Sequence, residues 1–178
     1  MASKHSNVAY VILGFLTKAD HPLSGYDIKQ WVDTSVRYFF AASFGQIYPE
    51  LKKLNEAGLI EGESNATGGR ARTEYSITEA GRDELRKWLL QPETRLEMRD
   101  EAVLRIFFSG ALTKQEKLAK LQQMRADRVN SFEALKAVHS LTQDQISEMP
   151  GLVLDYGLGL HEYVIGWCDR AIEAVENQ

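Results

Sequence analysis

Ser43-Phe44-Gly45-Gln46-Ile47-Tyr48-Pro49-Glu50-Leu51-Lys52-Lys53-Leu54-Asn55-Glu56-Ala57-Gly58 is the stretch whose reading decides the fold. Ile47, Leu51 and Leu54 recur at spacings of four and three, which puts them on one face of a helix. Gly58 stands where that helix ends, because glycine enters the left-handed cap without strain. Ser43 is a candidate N-cap. The opposite face carries Gln46, Tyr48, Lys52 and Lys53. An apolar face backed by donors and cations suits a helix that enters a DNA groove, and it also suits an ordinary surface helix. Pro49 breaks a local rule, since it removes a backbone bond and crowds the carbonyl near Gly45. The expectation is a kink there, or a regular helix that begins nearer Ile47.

Upstream, Asn7 to Lys18 reads as a helix with apolar residues on most sides, and such a helix is buried on most sides. His21-Pro22-Leu23 is a connector, and Ser24 caps a second helix running to about Ser35. Trp31, Phe39 and Phe40 are read as core residues. Downstream, Leu59 to Glu63 and Thr73 to Ile77 are short strand candidates. Between them Gly68-Gly69 supplies a hairpin turn, and Arg70 and Arg72 stand on the return arm. Thr78 then caps a helix to about Leu90. Three helices followed by a hairpin form a winged helix-turn-helix, with the third helix as groove reader and the Arg-bearing hairpin as wing. Residues 1–92 are therefore assigned to a winged-helix DNA-binding domain and 93–178 to a helical dimerisation and effector domain. The fold class is mainly α.

The second half is all helix. Arg99 to Ser109 includes Phe107 and Phe108, both read as core; Thr113 to Glu116 is a capping box opening a long helix. Thr142 to Gln145 offers another box, and Pro150 starts a final helix to about Glu176. Gly157, Gly159 and Gly166 lie inside that helix, each costing about 1 kcal/mol relative to alanine, which close approach of another helix offsets. Its apolar surplus, including Leu154, Leu158, Val164 and Ile165 around Gly157, marks a dimerisation surface.

The 178 residues carry a net charge of −4. Through Leu90 there are eleven Lys and Arg against eleven Asp and Glu, and from Gln91 ten against fourteen, so the acidic excess belongs to the second half. A neutral first half can still present a basic face. The single Cys168 leaves no internal disulfide and fits a reducing cytosol. The N-terminus has no signal-peptide pattern, and the most apolar run, Leu152 to Trp167, is interrupted by Asp155, His161 and Glu162. A cytoplasmic protein without a membrane span is expected. The four His and one Cys share no metal-ligand spacing, no phosphate-cradling Gly loop follows a strand, and no catalytic Ser-His-Asp order stands out. No enzyme, metal or cofactor is expected.

With both halves in view, the chain resembles the PadR family of bacterial transcription regulators. The matching motifs are Val11-Ile12-Leu13-Gly14-Phe15-Leu16, Pro22 to Ile28, Gly45-Gln46-Ile47-Tyr48-Pro49, Glu56-Ala57-Gly58-Leu59-Ile60, Tyr75-Ser76-Ile77-Thr78 and Arg99-Asp100-Glu101 before Phe107-Phe108. The wing has Arg70-Ala71-Arg72 where the family usually has Arg-Pro, and Phe39-Phe40 where many members have Trp. The resemblance implies a homodimer, joined by the C-terminal helices, on an inverted-repeat DNA operator, with a small effector in the dimer cavity. DNA contacts are then expected from Ser43, Gln46, Ile47, Tyr48, Lys52, Lys53, Arg70, Arg72 and Tyr26. A small aromatic effector is expected near Trp88 or Trp167. A winged helix used only for protein association is the second reading.

Overall fold

The computed structural model describes residues 5–36, 39–40, 42–65, 72–92, 100–142 and 146–177. Contacts divide the chain into two units, Met1–Arg95 and Leu96–Gln178.

In the first unit, α1 (Asn7–Lys18) is capped by Ser6, whose hydroxyl accepts from the Ala9 N–H at 3.2 Å. Val8, Ala9, Tyr10, Ile12, Leu13 and Leu16 are all buried, the nearly all-round burial its pattern predicts. A two-residue strand β1 (Leu23–Ser24) leads into α2 (Gly25–Thr34). Ser24 and Asp27 form a reciprocal capping box at its start. Helix α3 (Phe44–Glu56) begins directly after Ser43 and runs through Pro49, so the start nearer Ile47 is not the one adopted. Pro49 deprives the Gly45 carbonyl of its helical partner, and Gly45 is exposed, so the carbonyl is open to solvent. Gly58 closes α3 with φ of +68°, a conformation that disfavours any side chain.

Strands β2 (Ile60–Asn65) and β3 (Arg72–Ile77) pair antiparallel with Ile60 opposite Ile77 and Asn65 opposite Arg72. The hairpin tip expected around Gly68-Gly69, with Arg70, lies outside the described residues. Sequence reading misses β1, which pairs with β3 (Leu23 opposite Tyr75) and makes the sheet order β1-β3-β2. Two residues carry no period, so only the partner strand reveals them. Helix α4 (Glu79–Leu89) is capped by Thr78, whose hydroxyl donates to the Gly58 carbonyl at 2.8 Å and accepts from Gly81 N–H at 3.1 Å. That joint presses α4 onto the turn after α3. A Cβ on Gly81 would stand 2.1 Å from the Leu59 carbonyl oxygen. The core joins α1, α2, α3, Ile60 and Leu85. Ile47, Leu51 and Leu54 are fully buried in it, each contributing roughly 1.5–3 kcal/mol. Trp31 and Phe40 pack against this core as expected, whereas Phe39 is exposed.

In the second unit, α5 (Glu101–Phe107) is capped by Asp100, which accepts from the Ala102 and Val103 N–H groups at 3.0 and 3.2 Å. A 3-10 turn (Ser109–Ala111) follows, then α6 (Lys114–Thr142), where Glu116 reaches back to Thr113 N–H and hydroxyl, each at 2.8 Å. The box expected at Thr142 to Gln145 falls largely outside the described residues. Helix α7 (Glu148–Glu176) starts two residues before Pro150. In a first turn the N–H groups have no intrahelical partner, so proline costs little there. Helices α6 and α7 run antiparallel: Lys114 Nζ donates to the Glu176 carbonyl at 2.7 Å, Arg125 pairs with Asp169, and Leu135 packs opposite Gly157.

This hairpin accounts within the chain for part of the surface expected to join two copies. Gly157 does admit a close helix, but that helix is α6 of the same chain: a Cβ there would lie 2.9 Å from Leu135 Cδ2. Leu154, His161 and Cys168 are buried along the same stripe. Leu154 is thus buried within the chain, and Gly157 is a half-buried point of contact with Leu135. Leu158, Val164 and Ile165 are half-buried at its margins. The exposed apolar stripe is the neighbouring one, Val153, Tyr156, Leu160 and Tyr163. Phe107 and Phe108 also differ from expectation, since both are exposed and α5 buries no residue within the chain.

Candidate nucleic-acid interface and effector cavity

The buried stripe of α3 orients its other face outward. Ile47, expected among the DNA contacts, is fully buried and acts as the anchor of that helix. Ser43, Gln46, Tyr48, Lys52 and Lys53 are exposed. Lys52 lies 3.8 Å from Glu56 and Lys53 2.7 Å from Glu50, surface pairs worth little and readily exchanged for phosphate. Gln46 Oε1 accepts from Ser43 N–H at 3.0 Å and from Ser43 Oγ at 3.2 Å. This side chain, expected among the DNA contacts, therefore already serves as a cap through its oxygen, which leaves its amide NH2 as the donor group.

Tyr26, at the start of α2, is exposed rather than buried. It stacks against Phe44, which stacks in turn against Tyr48; the ring centroids are 6.4 and 6.1 Å apart. Phe44 escaped the sequence reading, although its spacing of four from Tyr48 places both on one helical face. Gly25 makes room for Tyr48, because a Cβ there would come 2.7 Å from Tyr48 Cε1.

Arg72 stands at the root of the wing. Its guanidinium pairs with Asp27 and lies 3.8 Å from Glu74. Burial pushes the Asp27 carboxyl up, but the Ser24 N–H, the Ser24 hydroxyl and Arg72 together outweigh it and hold the group below the usual carboxylate range. Arg72 thus ties the wing to the start of α2. Arg70 lies outside the described residues.

The two tryptophans expected at an effector site differ. Trp88 stacks on Tyr10 at 4.6 Å and 6°, packed against the core of the first unit. One face is thereby occupied by Tyr10. Trp167 lines a cavity of about 650 Å³ within the second unit, together with Leu104, Phe108, Leu121, Ala171 and Val175. Arg105, Lys117 and Lys120 also line it. Volumes of roughly 300–1,000 Å³ are typical of small-molecule sites. Among the described residues no group of His, Cys, Asp and Glu is arranged to hold a metal ion. No helix among them is long and apolar enough to cross a membrane.

The family model of the transcriptional regulator PadR-like family matches residues 12–87, and that of the virulence activator alpha C-terminal region matches 98–176. The negative transcriptional regulator PadR of Bacillus subtilis is 36% identical over 140 residues, 72% of this chain and 74% of that protein. The crystal structure of Bacillus subtilis PadR in complex with operator DNA superposes with a TM-score of 0.84 at 28% identity, covering 96% of this chain and 99% of that one. The same regulator in complex with p-coumaric acid gives 0.79 at 27% identity, again covering 96% and 99%. A winged helix with an outward recognition face, followed by a long helical hairpin and matched at this identity over this length, belongs to the PadR-like family of transcriptional regulators.

Proposed function

We propose that the protein is a sequence-specific DNA-binding repressor of the cytoplasm, without catalytic activity, that grips an inverted-repeat operator as a homodimer and is released by a small aromatic molecule. The observation that carries this reading is the division of α3. Ile47, Leu51 and Leu54 are fully buried, while Gln46, Tyr48, Lys52 and Lys53 project from the opposite face. An anchored helix with donors and cations outward is what groove reading requires. A relative of the same fold, solved on operator DNA, supports it. Base contact falls to Gln46 and Tyr48, and phosphate contact to Ser43, Lys52, Lys53, Tyr26, Arg70 and Arg72.

A second copy of this chain covers the exposed stripe of α7, because four large apolar side chains on one helix face favour burial. The effector is an aromatic acid. The cavity beside Trp167 supplies an apolar lining, and Arg105, Lys117 and Lys120 border it, Arg105 being paired with Glu101 at 2.6 Å; these cations at the border favour a carboxylate. The relative solved with p-coumaric acid supports that class. The reading of a winged helix used only for protein association is not favoured by any observation at the site.

A gel-shift titration with the DNA upstream of the protein's own gene, run over a salt series, tests the reading. The expected result is a discrete complex whose log affinity falls linearly with log salt concentration. Aromatic acids should then weaken it, and Trp167→Ala should abolish that response. Absence of any complex at low salt would overturn DNA binding.

A further inference from the structure

Phe44 is an apolar side chain, 43% exposed, at the first position of the recognition helix. Its neighbours hold it there. Tyr26 and Tyr48 flank it with interplanar angles of 18° and 23°, forming a rank of three nearly parallel rings drawn from two helices. Lys29 Nζ sits 5.5 Å from the Phe44 ring centroid. Gly25 fixes the far end of the rank by making room for Tyr48. Such a ring is pre-organised, so little side-chain freedom remains to be lost when it meets a partner.

The chemistry of the ring narrows what it meets. Phenylalanine has no donor for a phosphate or a base heteroatom. In a major groove the apolar feature is the C5-methyl of thymine, and Phe is among the side chains that pack on it. The first turn of a recognition helix is also the part that reaches base edges. We propose that Phe44 is a specificity-determining residue that reads a thymine methyl in each operator half-site, with the flanking tyrosines holding its ring in position. This rests on the DNA-binding reading above and adds a base that Gln46 and Tyr48 do not account for.

The perturbation that tests it is made in the DNA, so the fold of the protein is untouched. A preferred duplex is first enriched from a random pool with the wild-type protein. Each thymine is then replaced in turn by uracil, which removes the methyl and leaves the pairing intact. The expected result is one position per half-site at which uracil costs about fourfold in affinity, the worth of one methyl-sized group withdrawn from water. Phe44→Ala should bind the thymine and uracil duplexes equally at that position, with the salt slope of the wild type. Phe44→Leu should keep part of the difference. Wild-type affinity indifferent to uracil at every position, or a thymine preference that persists in Phe44→Ala, overturns the assignment. Failure of the wild type to enrich any duplex overturns DNA binding itself, and it is recognised by the absence of complexes rather than by the loss of a methyl effect.

Discussion

Gln46 caps the start of α3 and, on the function proposed above, also contacts a base; two substitutions separate the two roles. Its Oε1 accepts from both the N–H and the hydroxyl of Ser43, at 3.0 and 3.2 Å. A bidentate pair with adenine needs that same oxygen as acceptor for N6 while the amide NH2 donates to N7. Binding an adenine this way therefore releases the cap. The cap is worth about 1 kcal/mol and the base pair contact roughly 1–3 kcal/mol, so the exchange is favourable only when the base geometry is good. Gln46→Ala removes both tasks. It should lower stability by about 1 kcal/mol, a fall in Tm of roughly 4–8 °C for a unit of this size. It should also relax sequence choice at one position per half-site. Gln46→Glu keeps an acceptor for Ser43 but loses the amide donor, so its Tm should stay near that of the wild type while operator discrimination is lost. Thermal melts and affinities on duplexes carrying adenine or guanine at the contacted position give both readouts. Equal destabilisation by Ala and Glu would refute the capping role. Unaltered discrimination in Gln46→Ala would refute the base contact. A wild-type preference for purine without distinction between adenine and guanine would show that the cap persists and that only the amide NH2 reads the base.

Other outcomes follow from the same structure. Arg72→Ala should weaken binding to all DNA and reduce the salt slope by about one unit per chain, which a salt titration on specific and random duplexes would read. Gly81→Ala should destabilise the first unit by roughly 1–3 kcal/mol or more, measured by chemical denaturation, because the added methyl meets the Leu59 backbone carbonyl, which cannot turn aside, as well as the Ile77 side chain. His161 is buried between α6 and α7 with Nδ1 unpartnered among the described residues, and burial, then Arg128, push its pKa below the ordinary 6.5. Below pH 6.5 the unfolded chain therefore takes up the proton before the folded one does. Its contribution is full above that pH and is lost as pH falls, so the Tm difference between pH 7.5 and 5.5 should shrink in His161→Leu. Leu160→Glu, on the exposed stripe of α7, should shift sedimentation from dimer to monomer without lowering the helix content.

The first unit was legible in the sequence because its determinants are local. The spacing of Ile47, Leu51 and Leu54 sets which face of α3 is buried, and Gly58 ends that helix in a conformation only glycine takes readily. The capping residues Ser24 and Thr78, like Thr113 in the second unit, act within three or four positions, and each is found at the boundary it predicts. Other features depend on residues distant in sequence. Strand β1 exists only because β3 pairs with it across some fifty positions. An interior glycine announces close approach, but not whose side chain approaches; at Gly157 it is Leu135 of the same chain. Trp88 and Trp167 look alike as residue types, yet Tyr10 covers one and a cavity opens beside the other. The aromatic rank of Tyr26, Phe44 and Tyr48 likewise depends on two helices meeting over Gly25. Periodicity and capping are short-range properties that the chain carries in its own order, so sequence alone determined where the capped helices begin and which face of α3 is buried. The occupant of each buried or exposed face is a matter of distances between remote segments, and that only the tertiary structure decided.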